Sequence, residues 1–290
     1  MQLLIHGESA FAATGGRGHE IGRPLALFVH GAGMDHTVWA QQSRWLAFHG
    51  WNVLALDLPG HGRSGGLPLA SVPAIAQWLC GVVDAAPART ATLIGHSMGS
   101  LGALAAASSF PDRIDRLVLI GTAAAMPVHR DLLAAAAANQ HAAIDMVNRW
   151  GFGPAAGLGG SRAPGIWMVG AGERVLERAR PGVLHNDLAV CDSYRDGLSA
   201  AVKVRAPTLL ICGEKDQMTP LKGARLLASA IPSASLLVLK GAGHMLMAER
   251  PDEMLRALAG HLAVDASRSE ARLASDTGLP PAQSRGNVVP

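Results

Sequence analysis

The sequence predicts an α/β fold: a mostly parallel, eight-stranded sheet flanked by helices, with a helical block inserted after the sixth strand. Two observations carry this. Short apolar runs, suited to strands buried on both faces, alternate with longer amphipathic segments along most of the chain. The alternation then lapses between about 123 and 204, where the pattern is helical throughout, and resumes at 208.

Taken in order, the weaker runs 2–6 and 9–13 are expected to form an antiparallel hairpin at one edge. Strands follow at 25–29, 52–56, 90–94 and 116–120, and after the insertion at 208–212 and 236–239. Helices fill 38–49, 72–85, 98–109, 221–230 and 251–263. The stretch GFGPAAGLGGSRAPG, 151–165, lacks periodicity and reads as a mobile loop within the insertion. Residues 264–290 are polar and poor in bulky apolar groups, so a disordered tail is expected. The division is therefore a core of 1–122 and 205–263, a helical cap of 123–204, and the tail.

With 49% hydrophobic and 16% charged residues among 290, the chain can bury a large core. Its 25 Lys and Arg against 22 Asp and Glu leave a net charge of +3, too small and scattered for a nucleic-acid footprint. The N-terminus lacks a basic segment followed by an apolar one, and no run approaches the roughly 20 apolar residues of a membrane helix. A soluble, cytoplasmic protein is expected, with no membrane and no nucleic-acid partner. Cys80, Cys191 and Cys212 are far apart and outside any CxxC spacing, so they read as inert buried thiols.

The chemistry concentrates where strands end. GHSMG, 95–99, stands between a strand pattern and a helix pattern. A serine hydroxyl needs a neighbouring base and must protrude toward substrate, and a sharp strand-to-helix turn provides the protrusion if small residues flank it. Gly95 and Gly99 do so, making Ser97 the candidate nucleophile; the alternative is an ordinary glycine-flanked turn. HGAGM, 30–34, follows another strand, and its small residues let backbone amides approach a ligand. An oxyanion hole from the amides of Ala32 and Met98 is expected, with Gly31 and Gly33 as alternatives to Ala32. DLPGHGRS, 57–64, reads as a tight turn, so Asp57 and His61 are given structural roles.

Of twelve histidines, His244 in GAGHM is the candidate base, because it follows the last strand at the same sheet edge as Ser97. His30 and His96 read as supports of their loops. An acid must hold the tautomer of that base, and Asp216 in CGEKDQMTP is preferred over Glu214. Thr219 and Pro220 read there as a helix cap and a first-turn proline.

HGAG, DLPGHGRS, GHSMG, GEKDQMTP and GAGHM, in this order, resemble the α/β-hydrolase fold superfamily over residues 1 to 263. The resemblance implies the order nucleophile, acid, base at Ser97, Asp216 and His244, and a variable lid after the sixth strand. A serine at 97 sets the chain apart from superfamily branches that use an aspartate nucleophile. The implied activity is hydrolysis of small or medium apolar carboxylic esters by water through an acyl-enzyme, with no metal or organic cofactor. Lactonase, thioesterase and carbon–carbon bond hydrolase activities use the same triad, and a non-catalytic ligand-binding protein on this fold is the other class. Met126, Trp150, Trp167 and Met245 are candidate substrate contacts, with Met146, Phe152 and Met168 as further apolar candidates. Arg130, Arg149, Arg162 and Arg195 read as solvated charge.

Overall fold

The computed structural model describes residues 1–160 and 166–263. Eight strands form one sheet: β1 (Gln2–Ile5), β2 (Glu8–Ala13), β3 (Leu25–Val29), β4 (Asn52–Leu56), β5 (Ala91–His96), β6 (Ile114–Ile120), β7 (Thr208–Gly213) and β8 (Ala234–Leu239). Their order is β1-β2-β4-β3-β5-β6-β7-β8. The hairpin expected at the edge is there: β1 and β2 pair antiparallel, β2 joins β4 antiparallel, and all other pairs are parallel.

Parallel strands need crossovers, and those are helical. Outside the interval between β6 and β7 they are α1 (Ala40–Phe48), α2 (Val72–Ala85), α3 (Met98–Ser109) and α9 (Leu221–Ala230), and after the last strand come α10 (Leu246–Glu249) and α11 (Pro251–His261). Ser71 caps α2 by accepting the Ala74 amide at 3.2 Å. The helix expected at 38–49 divides instead, because Asp35 accepts the Thr37 amide at 2.9 Å and tightens the first turn into a 3-10 helix, His36–Trp39. Strand β5 runs two residues beyond the apolar run 90–94, since Gly95 and His96 stay paired with Leu119 and Ile120 of β6.

Alternation along β3 divides the core. Leu25, Leu27 and Val29 join one apolar layer with α2 and α3, while Ala26 and Phe28 join the other with Trp39, Leu46 and Leu258. Between β6 and β7 lie α4 (Arg130–Ala137), α5 (His141–Gly151), α6 (Met168–Glu177), α7 (Val183–Ser193) and α8 (Gly197–Ala201), with a 3-10 turn at Ala156–Leu158. This is the interval in which the sequence lacks strands. Gly151 belongs to α5, so the segment read as a loop from 151 begins inside a helix; residues 161–165 of it, and the tail 264–290, lie outside the described residues. Among the described residues no helix is long and apolar enough to cross a membrane.

Candidate active site

β5 ends at His96 and α3 begins at Met98, which leaves Ser97 alone to turn the chain, at φ 52° and ψ −121°. A non-glycine residue there costs on the order of 1–3 kcal/mol, which its surroundings must offset. They do so through backbone bonds: the Ser97 amide donates to Ile120 O at 2.9 Å, and Ser97 O accepts the Ser100 amide at 2.8 Å and the Ser100 hydroxyl at 2.6 Å. Both glycines are demanded by crowding. A Cβ on Gly95 would lie 2.4 Å from Gly99 O, and one on Gly99 would lie 2.4 Å from Val29 O.

His244 leaves the loop after β8 and is 3% exposed. Its Nδ1 donates to Asp216 Oδ2 at 2.8 Å. A carboxylate oxygen only accepts, so Nδ1 carries the proton and Nε2 is left as the basic nitrogen. Asp216, beyond β7, also accepts the Thr219 hydroxyl at 2.7 Å and the amides of Met218 and Thr219, each at 2.8 Å. Burial pushes its carboxyl up, but the charge of His244 and the hydrogen bonds from His244 and Thr219 outweigh this and hold it below the ordinary carboxylate value. Thr219 is therefore no helix cap: α9 begins after Pro220 with no side-chain cap, and the hydroxyl serves Asp216. Glu214 sits apart from the histidine, accepting the Gly241 amide at 3.1 Å.

The HGAGM loop lies against the elbow: a Cβ on Gly31 would meet Ser97 Cβ at 3.1 Å. The Gly33 amide is committed to Asp187 Oδ2 at 2.8 Å, so it is not free to serve as a donor in the cavity. Ala32 lines the cavity beside Ser97. Met98 is the first residue of α3, where an amide has no intrahelical acceptor. His30 is fully buried, with Nδ1 2.8 Å from Gly31 O and Nε2 accepting the Leu58 amide at 3.1 Å. Burial and the neighbouring His61 lower its pKa to about 4, so it is a neutral support. His96 is lowered to about 3 by burial and His244, and its Nε2 lies 3.0 Å from His244 O.

Asp57 accepts the amides of His36 and Arg63 at 2.7 and 2.8 Å and faces His36 Nδ1 at 2.8 Å, a turn-building role. His61 faces Pro59 O and Asp187. Asp35, His36 and Asp57 approach one another closely enough to hold a cation, as do His141, Glu173 and Glu177, but the residues of each group already bond one another or their neighbours.

Ser97 and His244 line one cavity of about 270 Å³. Met34, Met126, Val128, Leu132, Val147, Trp150, Leu184 and Leu188 give it apolar walls, and His129, Gln217 and Thr219 are its polar members besides the serine and histidine. Of the four residues expected to contact substrate, Met126 and Trp150 line this cavity and two do not. Trp167 is 65% exposed beside Gly170 at the start of α6, and Met245 turns into a separate cavity with Gln42, Phe152 and Met168. Arg130, Arg149 and Arg195 line no wall of the site; Arg162 lies outside the described residues. Cys191 does reach the cavity, and burial pushes its thiol up, so it stays protonated.

The sequence reading missed Asp187 and Glu249. Leu184, Asp187, Leu188 and Cys191 follow the spacing of one apolar helical stripe, and a carboxylate within such a stripe is the signal that could have revealed the first. Glu249 carried none.

Three comparisons agree with this fold. Residues 24–251 match the model of the alpha/beta hydrolase fold family. A pimeloyl-[acyl-carrier protein] methyl ester esterase of Aromatoleum aromaticum is 30% identical over 80% of this chain and 95% of its own length. The esterase YbfF of Escherichia coli is 30% identical over 73% of this chain and 82% of its own. Among solved structures, the enol-lactonase from Burkholderia xenovorans LB400 superposes with a TM-score of 0.81 at 25% identity, covering 91% of this chain and 100% of that one. A parallel sheet with a strained serine turn and a histidine–aspartate pair at its rim, matched over most of its length by that family's model, makes this chain a member of the alpha/beta hydrolase fold family.

Proposed function

We propose that the protein is a serine hydrolase of uncharged, small to medium carboxylic esters. The observation that carries this is the cavity shared by Ser97, on its strained turn, and His244, whose Nδ1 is held by buried Asp216. Ser97 Oγ attacks the ester carbonyl carbon while His244 Nε2 takes its proton. The Ala32 and Met98 amides hold the oxygen that becomes negative. The imidazolium then protonates the departing alkoxide, leaving an acyl-serine, and water repeats the sequence to release the acid.

The substrate class follows from the walls. Among the described residues no Arg, Lys, Asp or Glu lines the cavity, so a charged acyl or alcohol group would be desolvated without a partner. The volume suits a short or medium chain. The relatives named as esterases support ester cleavage, and the neighbour named as an enol-lactonase keeps a lactone substrate open within the same chemistry. Helices α4, α5 and α7 supply most of the apolar wall, which supports a cap, 123–204, that governs substrate choice. All three cysteines are free, which suits a reducing, cytoplasmic setting.

A panel of p-nitrophenyl esters of increasing chain length, run beside lactones and thioesters, tests this reading. Short and medium neutral esters are expected to turn over best, and Ser97→Ala is expected to lose at least about 10³-fold in kcat. Undiminished turnover by the folded Ser97→Ala protein would refute the mechanism. A fluorophosphonate should label the wild-type protein at Ser97; a folded protein that neither labels nor hydrolyses would be a binder on this fold instead.

A further inference from the structure

Asp187 stands in the middle of α7, 1% exposed, in the stripe that otherwise packs Leu184 and Leu188 against the cavity. A carboxylate buried so deeply persists only with partners of good geometry. Its Oδ2 accepts the Gly33 amide at 2.8 Å and lies 2.7 Å from His61 Nε2. The other nitrogen of His61 is 2.9 Å from Pro59 O. Both ring nitrogens thus face acceptors, the arrangement of an imidazolium. Burial opposes that charge, but the hydrogen bond and the charge of Asp187 outweigh burial and raise the His61 pKa above its ordinary value.

The consequence falls on Ala32, which lies between two peptide groups that are both held. The carbonyl of the first, Gly31 O, lies 2.8 Å from His30 Nδ1 and accepts the Met34 amide at 3.2 Å. A trans peptide is planar, so fixing that oxygen fixes the opposite direction of the Ala32 N–H. The N–H of the second, at Gly33, is the one Asp187 takes. Gly33 has φ +67°, and a Cβ there would lie 2.9 Å from Leu184 Cδ1, so α7 presses directly on the loop it bonds. The rings of His30 and His61 pack with centroids 4.8 Å apart, which joins the two supports.

We propose that Asp187 is a positioning residue for hydrolysis: paired with His61, it ties α7 of the cap to the Gly33 amide and so aims the Ala32 N–H at the substrate oxygen. This rests on the reading of Ser97 as nucleophile and Ala32 as oxyanion donor. The function is positional, because Asp187 is not among the residues that line the cavity of Ser97 and His244.

The test is Asp187→Asn, measured with a neutral p-nitrophenyl ester and with an alkyl trifluoromethyl ketone, which forms a tetrahedral adduct resembling the transition state. Displaced by a fraction of an ångström, the donor should cost about 10- to 100-fold in kcat with KM changed by less than about threefold. The affinity for the ketone should fall in parallel with kcat/KM. Arg180→Ala removes a different cap tether, the 2.8 Å bond from Arg180 to Ser64 O, and should lower thermal stability while leaving kcat and ketone affinity in place. His61→Gln keeps a donor to Asp187 but not the charge; a smaller parallel loss, about 3- to 10-fold, is expected, and it serves where Asp187→Asn does not fold. Wild-type kcat and ketone affinity in the folded Asp187 variant, or in the His61 variant if that alone folds, overturn the proposal. Failure of the underlying reading looks different: Ser97→Ala would keep its turnover, or the wild-type protein would hydrolyse no ester.

Discussion

Asp216 gathers four donors on two oxygens, and only one of them is the imidazole. The amides of Met218 and Thr219 hold Oδ1, while the Thr219 hydroxyl and His244 share Oδ2, so the carboxylate cannot rotate away from the base. Asp216→Asn keeps the shape but presents an amide that stabilises the wrong tautomer of His244. We expect kcat to fall on the order of 10³- to 10⁴-fold with little change in melting temperature, measured by ester hydrolysis and circular dichroism. Ser97, Asp216 and His244, the residues of the proposed relay, were legible in the sequence for a local reason: each follows a strand, in a turn whose glycines or proline mark the bend. Thr219 was visible but misassigned, since a threonine before a proline looks the same whether its hydroxyl faces a helix or a carboxylate. Trp167 and Met245 show the complementary failure, because residue type gives apolarity but not the direction of a side chain.

At the scale of elements, two of the stitches between the helical insertion and the sheet's rim reach the loops that carry the site. One is Asp187 on the HGAGM loop. The other joins the end of α5 to the loop that carries His244: Gly151 O accepts the amides of His244 and Met245 at 2.8 and 3.0 Å. Glu249 accepts the amides of Gly153 and Gly243, each at 3.0 Å. Burial raises the Glu249 carboxyl above its ordinary value against the pull of those amides. There is no slack in this seam, for a Cβ on Gly243 would lie 2.4 Å from Gly153 N. Gly243→Ala is therefore expected to pry α5 from the histidine loop, speeding hydrogen exchange at 151–153 and 243–245, lowering stability by roughly 2 kcal/mol or more, and reducing kcat with it. Exchange and activity equal to wild type would show that the seam is not needed. Helix bounds such as those of α2, α3 and α9 were readable from periodicity and punctuation. The seam was not, because the bonds that cross it, two between backbone atoms and one to the Glu249 carboxylate, join residues about a hundred positions apart.

For the whole molecule, the alternation of strands and helices announced the layered sheet, but not the order in which strands lie; that is settled by long-range pairing, which local pattern does not encode. The same sheet buries titratable groups of opposite habit, so its stability should depend on pH in a defined sense. His30 and His96 are neutral when folded, with pKa values of about 4 and about 3 against an ordinary 6.5. The unfolded chain takes up their protons first, so their contribution is complete above pH 6.5 and is lost as pH falls toward 4 and then 3, with His30 alone worth on the order of 3 kcal/mol. Asp57 and Asp216, both held below the ordinary carboxylate value, add a loss in the same direction at lower pH. His61 has the opposite sign: its contribution is complete below 6.5 and lost as pH rises through its raised value. Urea denaturation from pH 3 to 9 should give a steep acid limb that flattens in His30→Gln, and an alkaline decline that shrinks in His61→Gln.

The want of Lys, Arg, Asp and Glu among the described residues that line the cavity has a bearing on turnover as well as on selectivity. Under the proposed reaction a neutral guest leaves behind an anion, and among the described residues no Lys or Arg lines the cavity to offset the hydration which that anion loses. The chamber that welcomes the reactant thus expels the acid it makes, and the enzyme should be inhibited only feebly by accumulating carboxylate.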